Sequence, residues 1–361
     1  VSQKVLVAGF STRHVCQSAH RAGHRVYAVD HFCDRDLDWY TDACERFEEL
    51  DELPDIIDLM ARRHRCDLLV VTSGAESLDL PLPRAGTPPD RVARFMDKCR
   101  TQEFFEGLGI PVPPRASPGD YPAMIKPRQG AGGWRNAVVR TEEERLAWVE
   151  AWEGIPHILQ GYRPGRPVSV SCIAGGGRAR AIAVNDQFHR EDEDAPFGFS
   201  GSVTPASPLP FTQRLIDWAE RAAAASGCIG SVGVDFVCDE DGVWAIEINP
   251  RFQATVDTVE LATGVNLFSL HLDACRGRIP GSMPPARSVG IRRIIFARRD
   301  LVVRSDLASL APGVADIPRV GTEIEAGHAV VSVLARGRSR EDAFRALENT
   351  MSRVNRCMVE W

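Results

Sequence analysis

The chain has 361 residues, 44% hydrophobic and 25% charged, with a net charge of −6. That length holds two to three domains of about 150 residues and buries enough surface to fold without disulfides or a structural metal; the acidic balance argues against a broad phosphate-binding surface and hence against a nucleic-acid partner. No stretch nears the roughly 20 apolar residues of a membrane span, VSQKVLVAGF lacks a signal-peptide pattern, and the ten cysteines form no C-x-x-C pair and read as reduced thiols, so a cytoplasmic protein with no membrane partner is expected.

Residues 1–85 alternate strand and helix signals. KVLVAG (4–9) and RVYAVD (25–30) are apolar strand runs, a helical stretch ends at Ala22–Gly23, 53–65 is helical, and DLLVVTSG (67–74) is a third buried strand. Strands separated by helices predict a parallel α/β sheet. The first turn, GFSTR (9–13), is not G-x-G-x-x-G, so a Rossmann-like unit without a dinucleotide is expected, with Gly9 a turn residue. LPLPRAGTPPD (80–90) and RIPGSMPPARS (278–288) are Pro-rich connections bounding a central mixed region. Beyond them GIRRIIFARRD and HAVVSVLARG (328–337) read as strands and SREDAFRALENTMSRV (339–354) as an amphipathic helix.

Four central segments carry chemistry. In DKCRTQEFFEGLGIPVPP (97–114) a helix bears Lys98 and stops at Gly109. In PAMIKPRQGAGGWRNAVV (122–139) a strand delivers Lys126, and Gly130, Gly132 and Gly133 form a loop whose amides can approach a ligand closely. Lysine ahead of the glycines, with no helix after them, is not a Walker pattern but a hairpin able to fold over a triphosphate. HILQGYRPGRPVSVSCIA (157–174) reads as a short strand ending at Gln160, a turn, and an alternating strand: a hairpin, or a linker strand with room for an adenine.

The fourth segment is GSVGVDFVCDEDGVWAIEINPRF (230–252), two strands around a turn at 239–242. Alternation puts Val232, Val234 and Phe236 on one face and Asp235 on the other; in the second strand it groups Trp244, Ile246 and Ile248 against Glu247 and Asn249. A hairpin loop with an odd number of residues would set Asp235 opposite Glu247. Two carboxylates so close repel, and a hard dication resolves this, Asn249 adding a neutral oxygen and phosphate completing the shell. Arg251 lies close enough to reach the same phosphate. NDQFHR (185–190) and FGFSGSVTP (197–205) read as loops between strands, with His189 a solvated loop histidine; EDED (191–194) reads as a solvated acidic loop, and Arg292, Arg293, Arg298 and Arg299 as a local basic patch.

Lys98, Lys126 with glycines 130–133, and Asp235…Glu247-Ile-Asn249-Pro-Arg251, in this order, resemble the ATP-grasp superfamily, in particular carboligases related to biotin carboxylase. The resemblance implies an α/β protein of three parts: a Rossmann-like domain (1–86), a two-lobed α+β ATP-grasp domain (87–283), and a small α+β terminal domain like that of biotin carboxylase (284–361). It implies ATP, with Mg²⁺ or Mn²⁺ held by Asp235, Glu247 and Asn249. Lys98 and Lys126 would contact the α/β-phosphates, Gly130, Gly132 and Gly133 would cover the β/γ-phosphates, and Gln160 and Tyr162 would line the nucleotide. Arg251 would neutralise charge on the transferred phosphoryl group. The implied activity is an ADP-forming ligase that activates a carboxylate as an acylphosphate and joins it to an amine, both small molecules, with a homodimer common among such proteins. Alternatives are a bicarbonate-dependent carboxylase and an ATP-binding regulator without turnover. Departures from the pattern are Gln160 for a common Glu, Gly165-Arg166-Pro167 at the ribose position, Trp134 at the end of the glycine loop, and Gly233 where an Arg occurs in some members.

Overall fold

The computed structural model describes residues 2–130, 132–133, 135–190, 195–359 and 361. The positions of Trp134 and of the acidic run 191–194 lie outside the described residues. Strands β1 (Lys4–Gly9), β2 (Arg25–Asp30), β3 (Ala43–Arg46) and β4 (Leu68–Val71) form a parallel sheet in the order β3-β2-β1-β4. Its central strand is apolar on both faces: Leu6 and Ala8 pack with Ile57 and Met60 of α2 (Leu53–His64), and Val5 and Val7 with Val15 and Ala19 of α1 (Arg13–Arg21). A strand covered on both sides must be an uninterrupted apolar run. Strand β3 escapes the sequence reading because it is a short edge strand, ACER, with no apolar run. At the end of β2, Asp30 turns inward and accepts from Thr12 N at 2.6 Å, Thr12 Oγ1 at 2.8 Å, Phe32 N at 2.8 Å and Cys33 N at 2.9 Å.

Two short helices, α3 (Pro89–Val92) and α4 (Lys98–Gly107), lead into a small antiparallel sheet, β6-β5-β7, of β5 (Ala123–Pro127), β6 (Ala137–Val139) and β7 (His157–Gly161). Ala123, Ile125 and Val139 pack on Trp148 of α5 (Glu142–Ala151), which leaves Met124 and Lys126 on the opposite face. The chain then crosses to a second sheet, so 157–174 is a linker between lobes and not a hairpin. That sheet runs β12-β11-β8-β9-β10-β13-β17-β15, with β8 (Arg166–Gly175), β9 (Arg178–His189), β10 (Phe199–Thr204), β11 (Gly230–Cys238), β12 (Val243–Asn249), β13 (Val289–Phe296), β15 (Val314–Ala315) and β17 (Ala329–Gly337). The two segments expected to be loops, 185–190 and 197–205, instead lie largely in β9 and β10, their polar side chains facing a polar layer rather than solvent. His189 accordingly ends a strand and is half-buried: burial lowers its pKa and its ring meets Phe197 edge-on.

Helix α6 (Thr212–Ala225) covers one face of the large sheet; α7 (Val256–Thr263) and α8 (Leu267–Cys275) cover the other and meet α1. Strands β14 (Leu301–Val302) and β16 (Glu323–Ile324) pair separately, and α9 (Arg340–Met358) packs on β17. The large sheet passes without a break from β10 to β13, joining the central region to the terminal one. Arg292 belongs to this junction and not to a surface patch, being buried. Its guanidinium donates to Ser332 Oγ at 3.0 Å, Ala254 O at 3.1 Å and Asp316 at 2.6 Å. Arg13, 1% exposed, reaches the same knot from α1. It grips Asp257 of α7 with two bonds of 2.8 and 2.6 Å and Asp316 with one of 2.9 Å. Asp36 closes the knot by accepting from the backbone of Asp316 and Ile317. Among the described residues no helix is long and apolar enough to cross a membrane.

Candidate functional site

Strand β11 places Val232, Val234 and Phe236 in the core under α6, leaving Gly233 and Asp235 on the opposite face. Asp235 is paired with Glu247. Loop parity is not the cause. The turn between Cys238 and Val243 has an even number of residues, and a β-bulge between Asp235 and Phe236 shifts the register so that Ile246 is the extra residue. The bulge also regroups the faces of β12: Val243, Ala245 and Ile248 are buried, while Trp244, Ile246, Glu247 and Asn249 are only half-buried. The expected grouping of Trp244, Ile246 and Ile248 is therefore wrong, although the opposition of the carboxylates stands.

Asp235 accepts from Gln187 Nε2 at 3.2 Å and Asn249 Nδ2 at 2.9 Å. Burial, with Glu247 adding repulsion, pushes its pKa up to about 7 against the pull of Arg251, Gln187 and Asn249. Under this face lies a hydrogen-bonded polar layer: Asn185 Nδ2 donates to Ser171 Oγ at 3.0 Å, Thr204 Oγ1 to Asn185 Oδ1 at 2.7 Å and to Thr258 Oγ1 at 2.8 Å. Buried polar groups joined this way hold fixed positions. Gly233 is needed for packing: a Cβ there would sit 2.1 Å from the Gln253 amide, which fills the space.

Lys126 comes from the small sheet and Lys98 from α4, which packs against the large sheet. Lys126 is 4% exposed. Burial, then the charge of Lys98, lowers its pKa to about 8, and Glu247 acts in the opposite sense, so Lys126 stands within electrostatic reach of both Lys98 and Glu247. Lys98 opens α4, whose N-cap Asp97 accepts from Cys99 N at 2.8 Å and is held by Arg128. Lys98 N donates to Arg128 O at 2.9 Å and its Nζ to Gly130 O at 2.8 Å, stitching the helix start to the glycine loop. Gly132 O accepts from Phe199 N at 3.2 Å, and a Cβ on Gly133 would come within 2.3 Å of Phe197 O, so the loop rests on the large-sheet side. Gly130, Gly132 and Gly133 all have φ values in the left-handed half of the map. Gln160 is buried on the lysine-bearing face of β7; its Nε2 donates to Gln102 Oε1 at 2.9 Å while its Oε1 has no partner among the described residues. Tyr162, just past β7, is half-buried and donates its backbone N–H to Pro122 O at 3.1 Å.

Arg251 is held by the N-terminal unit. Its Nε donates to Glu76 Oε1 at 2.6 Å and its Nη2 to Asn249 Oδ1 at 3.2 Å; Gly74 N fixes the other Glu76 oxygen at 2.6 Å. The structure thus brings Lys98, Lys126, Asp235, Glu247, Asn249 and Arg251 into one region and adds two residues the sequence reading did not single out. Gln187 lay in a segment misread as a loop. Glu76 follows a buried strand, at the end of an α/β sheet where ligands usually bind, and that position was its only signal. Among the described residues no group of three or more His, Cys, Asp or Glu could hold a metal ion, so a cation here would have two carboxylates and an amide.

Lys126 on the smaller sheet, Lys98 on α4 and a carboxylate pair on the larger sheet make a charged site in a mixed α/β protein. Residues 95–255 match the family model of an ATP-grasp domain, and this stretch of the chain is an ATP-grasp domain. The chain is 26% identical over 341 residues to the carbamoyl phosphate synthase large chain, C-terminal section, of Methanopyrus kandleri, aligning 81% of itself with 62% of that protein's length. In fold it resembles biotin carboxylase from Campylobacter jejuni, solved as a β,γ-ATP complex (TM-score 0.79, 15% identity, 97% of this chain and 91% of that one). It also resembles an L-amino acid ligase from Bacillus licheniformis (TM-score 0.73, 16% identity, 97% of each chain).

Proposed function

We propose that the protein is an ATP-dependent, ADP-forming ligase that activates a carboxylate as an acylphosphate and joins it to an amine. The observation that carries this reading is the pairing of Asp235 with Glu247 beside Lys126. Two adjacent acids, one with its pKa raised to about 7, suit a divalent cation, and the unpartnered Gln160 Oε1 suits a purine amino group. Asp235 and Glu247 would hold Mg²⁺, with Asn249 turning its amide oxygen toward the ion; the ion, when bound, shields the triphosphate and draws charge from the γ-phosphoryl group. Lys98 and Lys126 would bind the α/β-phosphates and glycines 130–133 would cover the β/γ-phosphates with backbone N–H groups. Positioning and charge stabilisation are what such a transfer needs. The substrate carboxylate oxygen attacks the γ-phosphorus and ADP departs. Arg251 neutralises the charge growing on the phosphoryl oxygens. The amine then attacks the acyl carbon and expels phosphate.

The test is ADP release screened over carboxylate–amine pairs: one pair raising release well above the ATP-only rate is expected, and ATP binding without turnover against every pair would favour the regulatory reading. The carboxylase reading changes only the acceptor, and incorporation of labelled bicarbonate separates it.

A second expected result concerns pH. The raised pKa of Asp235 means that the folded chain holds a proton more tightly than the unfolded one between about pH 4 and 7, so without a divalent ion stability falls as pH rises through that window. Mg²⁺ relieves the repulsion only once the carboxylate is ionised. Thermal melts should therefore show a larger Mg²⁺-induced rise in Tm at pH 8 than at pH 5.5; an equal rise at both would contradict the assignment of the ion to Asp235.

A further inference from the structure

The C-terminal ends of β1, β2 and β3 carry an aromatic rim that the nucleotide machinery does not use. Phe10 is 41% and Phe32 44% exposed, although both are large apolar side chains. Phe10 stacks on His31 at 4.5 Å, meets Phe32 edge-on at 5.3 Å and leans toward the buried Phe47 at 6.4 Å. Leu50, 49% exposed, extends the rim: a Cβ on Gly74 would lie 2.9 Å from Leu50 Cδ2 and 4.0 Å from Phe10 Cβ. A contiguous exposed apolar patch marks a binding surface, and this edge of a parallel sheet is where ligands enter α/β folds.

The rim is continuous with the candidate site. Phe10 N donates to Ser73 O at 2.7 Å, and Gly74 N binds the Glu76 carboxylate that holds Arg251. Asp30, the acid at the end of β2, is occupied by four inward hydrogen bonds and does not offer itself to a ribose. The exposed stretch Glu48-Glu49-Leu50-Asp51-Glu52 surrounds Leu50 with acids, and Arg46 beside it is paired with Glu48. Aromatic faces and surrounding carboxylates both favour a cation.

Resting on the ligase reading above, we propose that this rim is the recognition surface for the amine substrate, and that this substrate carries an aromatic or similarly large apolar group beside its ammonium. The apolar group would lie on Phe10 and Phe32, with the ammonium held against these ring faces and the acidic stretch 48–52.

The probe is phenethylamine, titrated into the full chain by ligand-observed NMR, with phenylacetate as the anionic isostere of similar size. Phenethylamine is expected to bind, phenylacetate at least about tenfold more weakly, and Phe10→Ala to weaken phenethylamine about tenfold, the usual range for losing apolar contact in a pocket. Phe10→Leu, which keeps apolar volume on an exposed position, should lose less and guards against misfolding of the alanine variant. Equal binding of phenethylamine by wild type and both variants, or tighter binding of phenylacetate, overturns the proposal. So does a wild-type dimer that Phe10→Ala dissolves, which would assign the rim to a second copy of the chain. Mg·ATP binding is measured on the same samples and should not change in Phe10→Ala. Phenethylamine binding by a chain without Mg·ATP affinity would uphold the rim and remove the ligase reading; Mg·ATP affinity with no phenethylamine binding would do the reverse.

Discussion

Glu247→Gln and Asp235→Asn are each expected to cut Mg·ATP-dependent phosphate release by on the order of 10³-fold, at the upper end of what losing one preorganised electrostatic group costs. The reasoning is local. The bulge beside Asp235 sets the two carboxylates opposite one another, and Gln187 and Asn249 fix Asp235 from two sides. A neutral amide keeps the shape and removes half of the anionic charge available to a cation. Burial is the main cause of the raised Asp235 pKa, and either change removes the carboxylate repulsion that adds to it, so neither variant should be less stable than wild type in the absence of divalent ions. Thermal melts in EDTA beside phosphate-release assays separate the two effects. Retained turnover in either variant would sink the assignment of the site; loss of turnover with a collapsed melt would mean that the pair is structural.

Arg13→Ala is expected to destabilise the folded chain by about 3–5 kcal/mol, the range for removing one partner of a buried ion cluster. Burial works against the charge of Arg13, yet Asp257, Asp316 and Asp36 raise its pKa well above the usual value. In return, against their own burial, Asp257 and Asp316 are held below the ordinary carboxylate range by Arg13 and Arg292. Without the guanidinium, carboxylates from three parts of the chain face each other in a dry pocket. Arg13→Lys retains the charge but not the two-pronged grip on Asp257, and should lose less. Denaturant unfolding measures both. A loss below about 1 kcal/mol for Arg13→Ala would show that water or Arg292 replaces the lost partner.

Much of this was legible in the sequence, because strand alternation and strand order are local. KVLVAG, RVYAVD and LLVV read as buried parallel strands since nothing polar interrupts them, and alternation along 230–238 put Asp235 away from Val234 and Phe236. The register of β12 was not legible, because a bulge is decided by how two strands and their turn fit together, and no single residue announces it. The polar strands β9 and β10 read as loops because their side chains find partners on other elements, Asn185 in Thr204, Gln187 in Asp235, and Ser202 and Thr204 in Thr258, a compensation invisible along the chain. Glu76 and Arg251 are 175 positions apart, and the Arg13 knot gathers residues 13, 36, 257, 292 and 316. Such contacts come from packing of domains, which composition and periodicity do not encode.

The unbroken ladder from β10 into β13 has a mechanical consequence. Sliding one strand past its neighbour would break the whole row of bonds at once, so the large sheet and the C-terminal region must travel as a single rigid platform, to which the Arg13 knot also bolts the N-terminal unit. The β5–β7 sheet is tethered by the stretches 108–122 and 162–165, and the glycine tip and bonds to α4 hold it down. Any breathing that opens the site therefore falls to that flap.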